Sequence, residues 1–178
     1  MIRAKTIYDT RPPALGETRW RLDPARSTAE FRVRHFWGLV TVEGHFEELR
    51  GRLDLRPGRQ PAVDLTLSAD SLETGNGRRD RHLRSADFFD AVNHPLVRFT
   101  SESAVLAGET LTVRGELEAA GRRIELELDA SVRRIGAELA VEATTPADHR
   151  QLGMTWSPFG MLRAPARLAV RARPLPDL

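Results

Sequence analysis

The sequence predicts an all-β chain of antiparallel strands, and three observations carry that prediction. About eight stretches alternate apolar and polar residues, and period two places successive side chains on opposite faces of a strand. Within each stretch one face is apolar and the other charged. Ala29, Phe31, Val33 and His35 alternate with Glu30, Arg32 and Arg34, and Ile124, Leu126, Leu128, Ala130 and Val132 alternate with Glu125, Glu127, Asp129 and Ser131. One wetted face is the mark of an antiparallel sheet. Glycine, proline and Asx residues fall between the stretches, where turns need them. Such a chain folds its apolar face inward, as a sandwich or as a closed barrel. A barrel of roughly eight strands has room inside for side chains or for one small ligand.

The elements follow in order. Residues 1–17 read as a flexible lead-in with a stiff break at Pro12-Pro13, and one domain spans 18–174. A first strand covers Thr18–Asp23, with Trp20 and Leu22 inward, and ends in Asp23-Pro24 turn chemistry. A second covers Thr28–Trp37. A third starts at Leu39, carries Val40, Val42 and Phe46 on one face, bends near Gly44 and continues to Leu55. A fourth covers Ala62–Asp70. The alternation then stops. A short helix over Arg78–Ser85, capped by Asn76, fits this stretch. Strands resume at Leu96–Leu106, Thr110–Ala119, Arg122–Ile135 and Glu138–Thr145. Residues 146–165 break the pattern again, and a last strand, Ala166–Arg173, closes against the first. The two long irregular connections, 75–95 and 146–165, are natural covers for one mouth of a barrel.

Bulk composition narrows the function. At 178 residues the chain can form one domain with a real core. No cysteine is present, which removes disulfides, thiolate metal sites and thiol nucleophiles. The pI of 9.8 arises from a net charge of only +2, because all basic residues except Lys5 are arginine. These charges interleave with carboxylates, so a solvated outer face is expected and nucleic acid is not an expected partner. The N-terminus shows no signal-peptide core and no stretch approaches the length of a membrane helix, so a soluble, cytoplasmic protein is expected. A homodimer through an open barrel edge is compatible with the pattern.

Several motifs occur in a specific order. Ser27-x-x-x-Phe31-x-Val33-x-His35 is followed by Val42-x-Gly44-x-Phe46 and by Gly51. Thr74 precedes Arg79-Asp80-x-His82-Leu83-x-Ser85-x-Asp87-Phe88-Phe89-Asp90 and His94-Pro95-x-x-x-Phe99. Gly115-x-Leu117, Gly121 and Arg150-x-x-Gly153-Met154 complete the series. Together, over Thr18 to Arg173, they resemble the YceI-like family. The resemblance implies a lipocalin-like antiparallel barrel with a short helix and irregular segments covering one mouth. It also implies a binder or carrier of polyisoprenoids and similar amphiphiles rather than an enzyme. Many members are secreted or periplasmic. The chain departs from the family at Gln151-Leu152, where an acidic and an aromatic residue are usual, and at Ala119, where Thr is usual.

The candidate ligand-binding residues are the inward apolar side chains Phe31, Val33, Val42, Phe46, Leu65, Leu67, Phe99, Leu126, Leu128, Leu168 and Val170. Phe88 at one end joins them, and His35 is a candidate headgroup partner. Ala29, Gly44, Ala69, Gly115, Ala130, Ala143 and Ala166 are small enough to leave volume. On pattern alone they could equally interdigitate into a solid core; the resemblance favours a cavity. Asp80, His82, Asp87, Asp90 and His94 form the one cluster with metal-like chemistry, but Asp80 and His82 are two apart, so no metal or other cofactor is expected. Asp80 and Asp87 are instead expected to tie Arg79, Arg81 and Arg84, with Leu83, Phe88 and Phe89 plugging the barrel end. No nucleophile elbow, phosphate loop or dinucleotide fingerprint is present, so no catalytic residue is assigned. The alternatives are a small enzyme at the barrel mouth using His35, His82 or His94, or a ligand-free stress or interaction module with a filled barrel.

Overall fold

In the computed structural model, which describes residues 19–35, 39–155 and 162–177, the alternating stretches become one antiparallel sheet of twelve strand segments. These are β1 (Arg19–Arg21), β2 (Thr28–His35), β3 (Val40–Phe46), β4 (Leu49–Asp54), β5 (Ala62–Ser68) and β6 (Leu72–Glu73). After the helix α1 (Gly77–Arg84) come β7 (Leu96–Ala107), β8 (Thr110–Ala119), β9 (Arg122–Ile135), β10 (Glu138–Ala147), β11 (Leu162–Ala172) and β12 (Leu175–Pro176).

The twelve segments are fewer long strands. β3 and β4 are one bent strand as predicted, but the corner falls at Glu47-Glu48 rather than near Gly44, which pairs in regular register with Phe31. β3 pairs with β2, and β4 pairs with β5. β5 and β6 are likewise one run, interrupted by a turn of 3-10 helix at Ala69–Ser71 and laid along β4 and then β3. Bonds from Ser68 N–H to Glu48 O and from Glu47 N–H to Ser71 O, both 3.0 Å, carry the ladder across the two corners. β1 with β2 and β11 with β12 behave the same way. Four such mergers leave eight runs, each antiparallel to its sequence neighbours, with the last returning to the first. The sheet is an up-and-down barrel, and closure removes the long free edge of an open sheet.

Several boundaries differ from those the alternation predicts. The fourth strand stops at Ser68, because Ala69 enters the 3-10 turn at the corner. The last strand starts earlier, at Leu162, and pairs with β2 from the Leu162–His35 register; the short β12, not β11, meets β1. An irregularity between Arg163 and Arg167 accommodates Pro165, which cannot donate to a ladder. β10 runs through Pro146 to Ala147, past Ala143, the last residue it pairs with β9. The lead-in, Thr18, Trp37 and the side chain of His35 lie outside the described residues. No helix among the described residues is long and apolar enough to cross a membrane.

The outer face is charged, but its ion pairs run between strands rather than along them. Arg123 reaches Glu116 and Glu118, Arg114 reaches Glu125, Arg32 reaches Glu43 and Arg171 reaches Glu30. Each such exposed pair is worth at most about 1 kcal/mol. Asp54 is more firmly held. It ends β4 by accepting the Arg56 N–H at 3.1 Å, and its carboxylate receives Arg56 Nη2 at 2.7 Å. The Arg56 hydrogen bonds hold its carboxyl well below the usual carboxylate range, against a smaller opposing effect of burial. A depressed folded-state pKa gives stability that is fully present above the unfolded value of about 3.9 and is lost as pH falls towards the folded value. Asp54→Asn is therefore expected to lower stability by about 1 kcal/mol near neutrality. In denaturant titrations at several pH values, the gap to the parent should narrow below about pH 4.

Candidate functional site

The inward side chains do not fill the barrel. Around one end the interior is closed: Trp20, Leu111, Val113, Val132 and Leu139 are at most 1% exposed. Further along the axis the inward residues Val33, Val42, Leu65, Leu128, Val141, Leu168 and Val170 are only partly buried. Strand alternation points them inward, so the surface they expose faces an internal space. That space is a cavity of about 800 Å³, within the range of roughly 300–1,000 Å³ typical of small-molecule sites.

Every candidate ligand-binding residue with a described side chain lies on this cavity. Phe31, Val33, Val42, Phe46, Leu65, Leu67, Phe88, Phe99, Leu126, Leu128, Leu168 and Val170 all line it. Ala29, Ala130, Ala143 and Ala166 also line it and supply the missing volume. Two predicted spacers act differently. A Cβ on Gly44 would strike the ring of Phe31, its cross-strand neighbour, at Cζ and Cε1. A Cβ on Gly115 would meet Thr100 O at 2.3 Å and the Phe99 ring at 2.9 Å. These glycines admit aromatic rings and close backbone rather than ligand. Ala69, at the corner, is fully buried and does not line the space.

One end of the cavity is polar and is roofed by α1. Asn76 caps the helix as predicted, its Oδ1 accepting from Arg78 N–H at 3.2 Å and Arg79 N–H at 3.1 Å. Asp80 is 2% exposed and is held by Thr74, whose N–H and hydroxyl both donate to Oδ1. Arg79 in turn donates from Nε to Thr74 Oγ1 and from Nη2 to Thr74 O, both at 2.8 Å. The expected Asp80–arginine tie is thus replaced by a tie through Thr74, since Asp80 points back to the strand that precedes the helix. Asp87 likewise meets His82, at 2.9 Å, rather than an arginine. Arg84 turns to Glu73 and Leu72 O. The segment after α1 folds back on it through Phe89 N–H to Leu83 O and Ala91 N–H to Arg84 O.

This lock sets the aromatic plug. Phe89 meets Phe46 edge-on at 5.7 Å, and Phe46 meets Phe31 at 6.1 Å, so rings run from the lid into the wall. Phe88 stands edge-on to His82 at 5.3 Å. Asn76 and Arg78 are exposed and also line the cavity, so it reaches solvent beside α1. His149, Leu152 and Met154 line it too. Their segment reads from sequence only as a cover; the signal for more is Met154 at the end of the Arg150-x-x-Gly153-Met154 motif. Among the described residues, no group of three or more His, Asp or Glu could hold a metal ion, and the metal-like cluster is divided among Thr74, His82 and Asn93 contacts.

With this geometry in place, the comparisons with known proteins decide the family. Residues 20–172 match the sequence model of the YceI-like domain. The chain belongs to the YceI-like family. It is 32% identical over 105 residues to protein YceI of Escherichia coli O157:H7, covering 57% of this chain and 54% of that protein. It is 27% identical over 131 residues to protein YceI of Salmonella arizonae, covering 72% and 68%. The chain spans about half the length of the first of these relatives. Among solved structures, BcnA of Burkholderia cenocepacia superposes with a TM-score of 0.78 at 18% identity, over 85% of this chain and 98% of that one. A polyisoprenoid binding domain from Saccharophagus degradans superposes with a TM-score of 0.71 at 14% identity, over 90% and 99%. At these identities the YceI-like neighbours establish the lipocalin-like barrel fold.

The close approach at Gly44 is testable. Gly44→Ala is expected to destabilise by about 1–3 kcal/mol, lowering Tm by several degrees. Phe31→Leu in the same chain should recover part of that loss in thermal melts, because it removes the ring the methyl would strike.

Proposed function

We propose that this YceI-like domain binds one long-chain isoprenoid or similar fatty amphiphile inside the barrel and carries or sequesters it. The observation that carries the reading is the continuous apolar cavity whose walls are partly exposed leucine and valine. Burial of apolar surface contributes about 0.8 kcal/mol per CH₂. Three isoprene units then supply about 12 kcal/mol, enough to offset association costs of roughly 4–15 kcal/mol only when most of the chain is enclosed. Hydrocarbon offers no hydrogen bonds to read, so selection among chains rests on length and shape. Family membership, and the polyisoprenoid binding domain among the structural neighbours, support the same reading.

The polar residues beside α1 would face the ligand's headgroup. Strand alternation assigns that part to His35, whose side chain lies outside the described residues; Asn76, Arg78, Arg79 and His82 line the cavity at its polar end and would share it. The His82–Asp87 pair at 2.9 Å favours a second reading, an acid–base enzyme acting at the mouth. The predominantly apolar lining supports the carrier reading over it.

Leu128 lines the cavity and pairs across strands with Val113 on its floor. Leu128→Arg is expected to leave a folded barrel yet reduce uptake of a fluorescent fatty chain by at least about tenfold; unchanged uptake would exclude an internal site. Organic extraction of the freshly purified protein, followed by mass spectrometry, should return a long-chain amphiphile at about one per protein. The same amphiphile recovered intact after prolonged incubation supports a carrier, and a conversion product supports the enzyme.

A further inference from the structure

A carrier must receive its chain from somewhere, and the α1 end of the barrel has the surface of a membrane-docking face. Two of the most exposed large apolar residues belong to connections at this end. Leu39 is 85% exposed at the start of β3, and Val92 is 92% exposed in the loop between α1 and β7. Both residues lie at the barrel end that carries α1, where the exposed Asn76 and Arg78 line the cavity.

Charged groups of both signs occupy the same end. Among the carboxylates at this end, Asp80 is held by Thr74, Asp87 meets His82, Asp90 accepts from Asn93 and Asp148 pairs with Arg150. Arg78 and Arg81 on α1, and Arg122 at the start of β9, are exposed and form no ion pair with any described residue. His94 packs against Gly121 in the turn before Arg122, which ties the Val92 loop to the β8–β9 turn. Three guanidinium groups at this end are therefore available to an anionic partner. The opposite end also exposes Val105 and Ile135, but there the Arg26–Glu138 and Arg133–Glu142 pairs lie nearby and the interior is closed by Trp20 and Leu111.

We propose that the α1 end docks on an anionic lipid bilayer, with Leu39 and Val92 entering the interfacial layer and Arg78, Arg81 and Arg122 facing lipid phosphates. This rests on the carrier reading. A bilayer fits this surface because it offers apolar depth and anionic charge in one plane. Docking there lets an apolar chain pass between bilayer and cavity without crossing water.

The test is co-sedimentation of the full chain with vesicles of phosphatidylcholine alone and of phosphatidylcholine mixed with phosphatidylglycerol. Binding is expected to the mixed vesicles, to weaken with salt, and to fall at least about tenfold in Leu39→Asp/Val92→Asp and in Arg81→Glu/Arg122→Glu. Circular dichroism and uptake of a fluorescent chain from detergent-free solution should be unchanged in the first variant. Three results would overturn docking: a parent that takes up the chain yet ignores mixed vesicles, variants that sediment like the parent, or a Leu39→Asp/Val92→Asp variant that only converts a dimer to a monomer. A parent that takes up no chain at all would instead sink the carrier reading on which docking rests.

Discussion

Each long strand in this barrel must serve two neighbours while turning around the axis, and the corners at Glu47-Glu48 and Ala69–Ser71 make that possible. They let β3–β4 pass from β2 to β5, and β5–β6 from β4 to β3, without losing the ladder. Strands that bend this way close the sheet, and a closed sheet of eight runs fixes the width of its interior. The lining then decides whether that width is filled. Alanines at 29, 130, 143 and 166, and medium aliphatic side chains opposite them, fall short of the axis.

A hollow barrel keeps apolar surface in contact with water, which a solid core would have removed. The empty form forgoes that burial, and a ligand that supplies the missing carbon atoms stabilises the fold in proportion to its occupancy. The same shortage of volume explains the lid. α1 is only eight residues long, too short to persist alone. It is held instead by Asn76, by the Thr74–Arg79–Asp80 bonds and by Phe89 against Phe46. The most distinctive motif of the sequence is largely this anchor. Its conformation places Asn76, Arg78, Arg79 and His82 at the solvent-facing end of the cavity.

Much of this architecture is legible in the amino-acid sequence. Period two identifies nearly every wall residue, because in a closed barrel the inward face of a strand is the cavity wall. Asn76 is legible as a cap, since an Asx side chain ahead of a non-alternating stretch has little else to do. What escapes the pattern are properties of neighbours in space. Gly44 and Gly115 read as missing volume, yet the rings of Phe31 and Phe99 lie over them, and ring placement depends on register. Asp80 reads as an arginine partner, yet it turns back to Thr74, and only the angle of helix to strand sets that choice. Leu152 and Met154 lie in a segment without periodicity, where alternation cannot say which side chain turns inward.

The central claim is that the interior holds a single extended chain. The most direct measurement is diffraction from crystals grown with an isoprenoid of three or four units. The account predicts continuous elongated density along the barrel axis, from the α1 end past Leu128 towards Leu111, with the polar end beside Arg78. An interior collapsed into a solid core, or density confined to the outer surface, would contradict it.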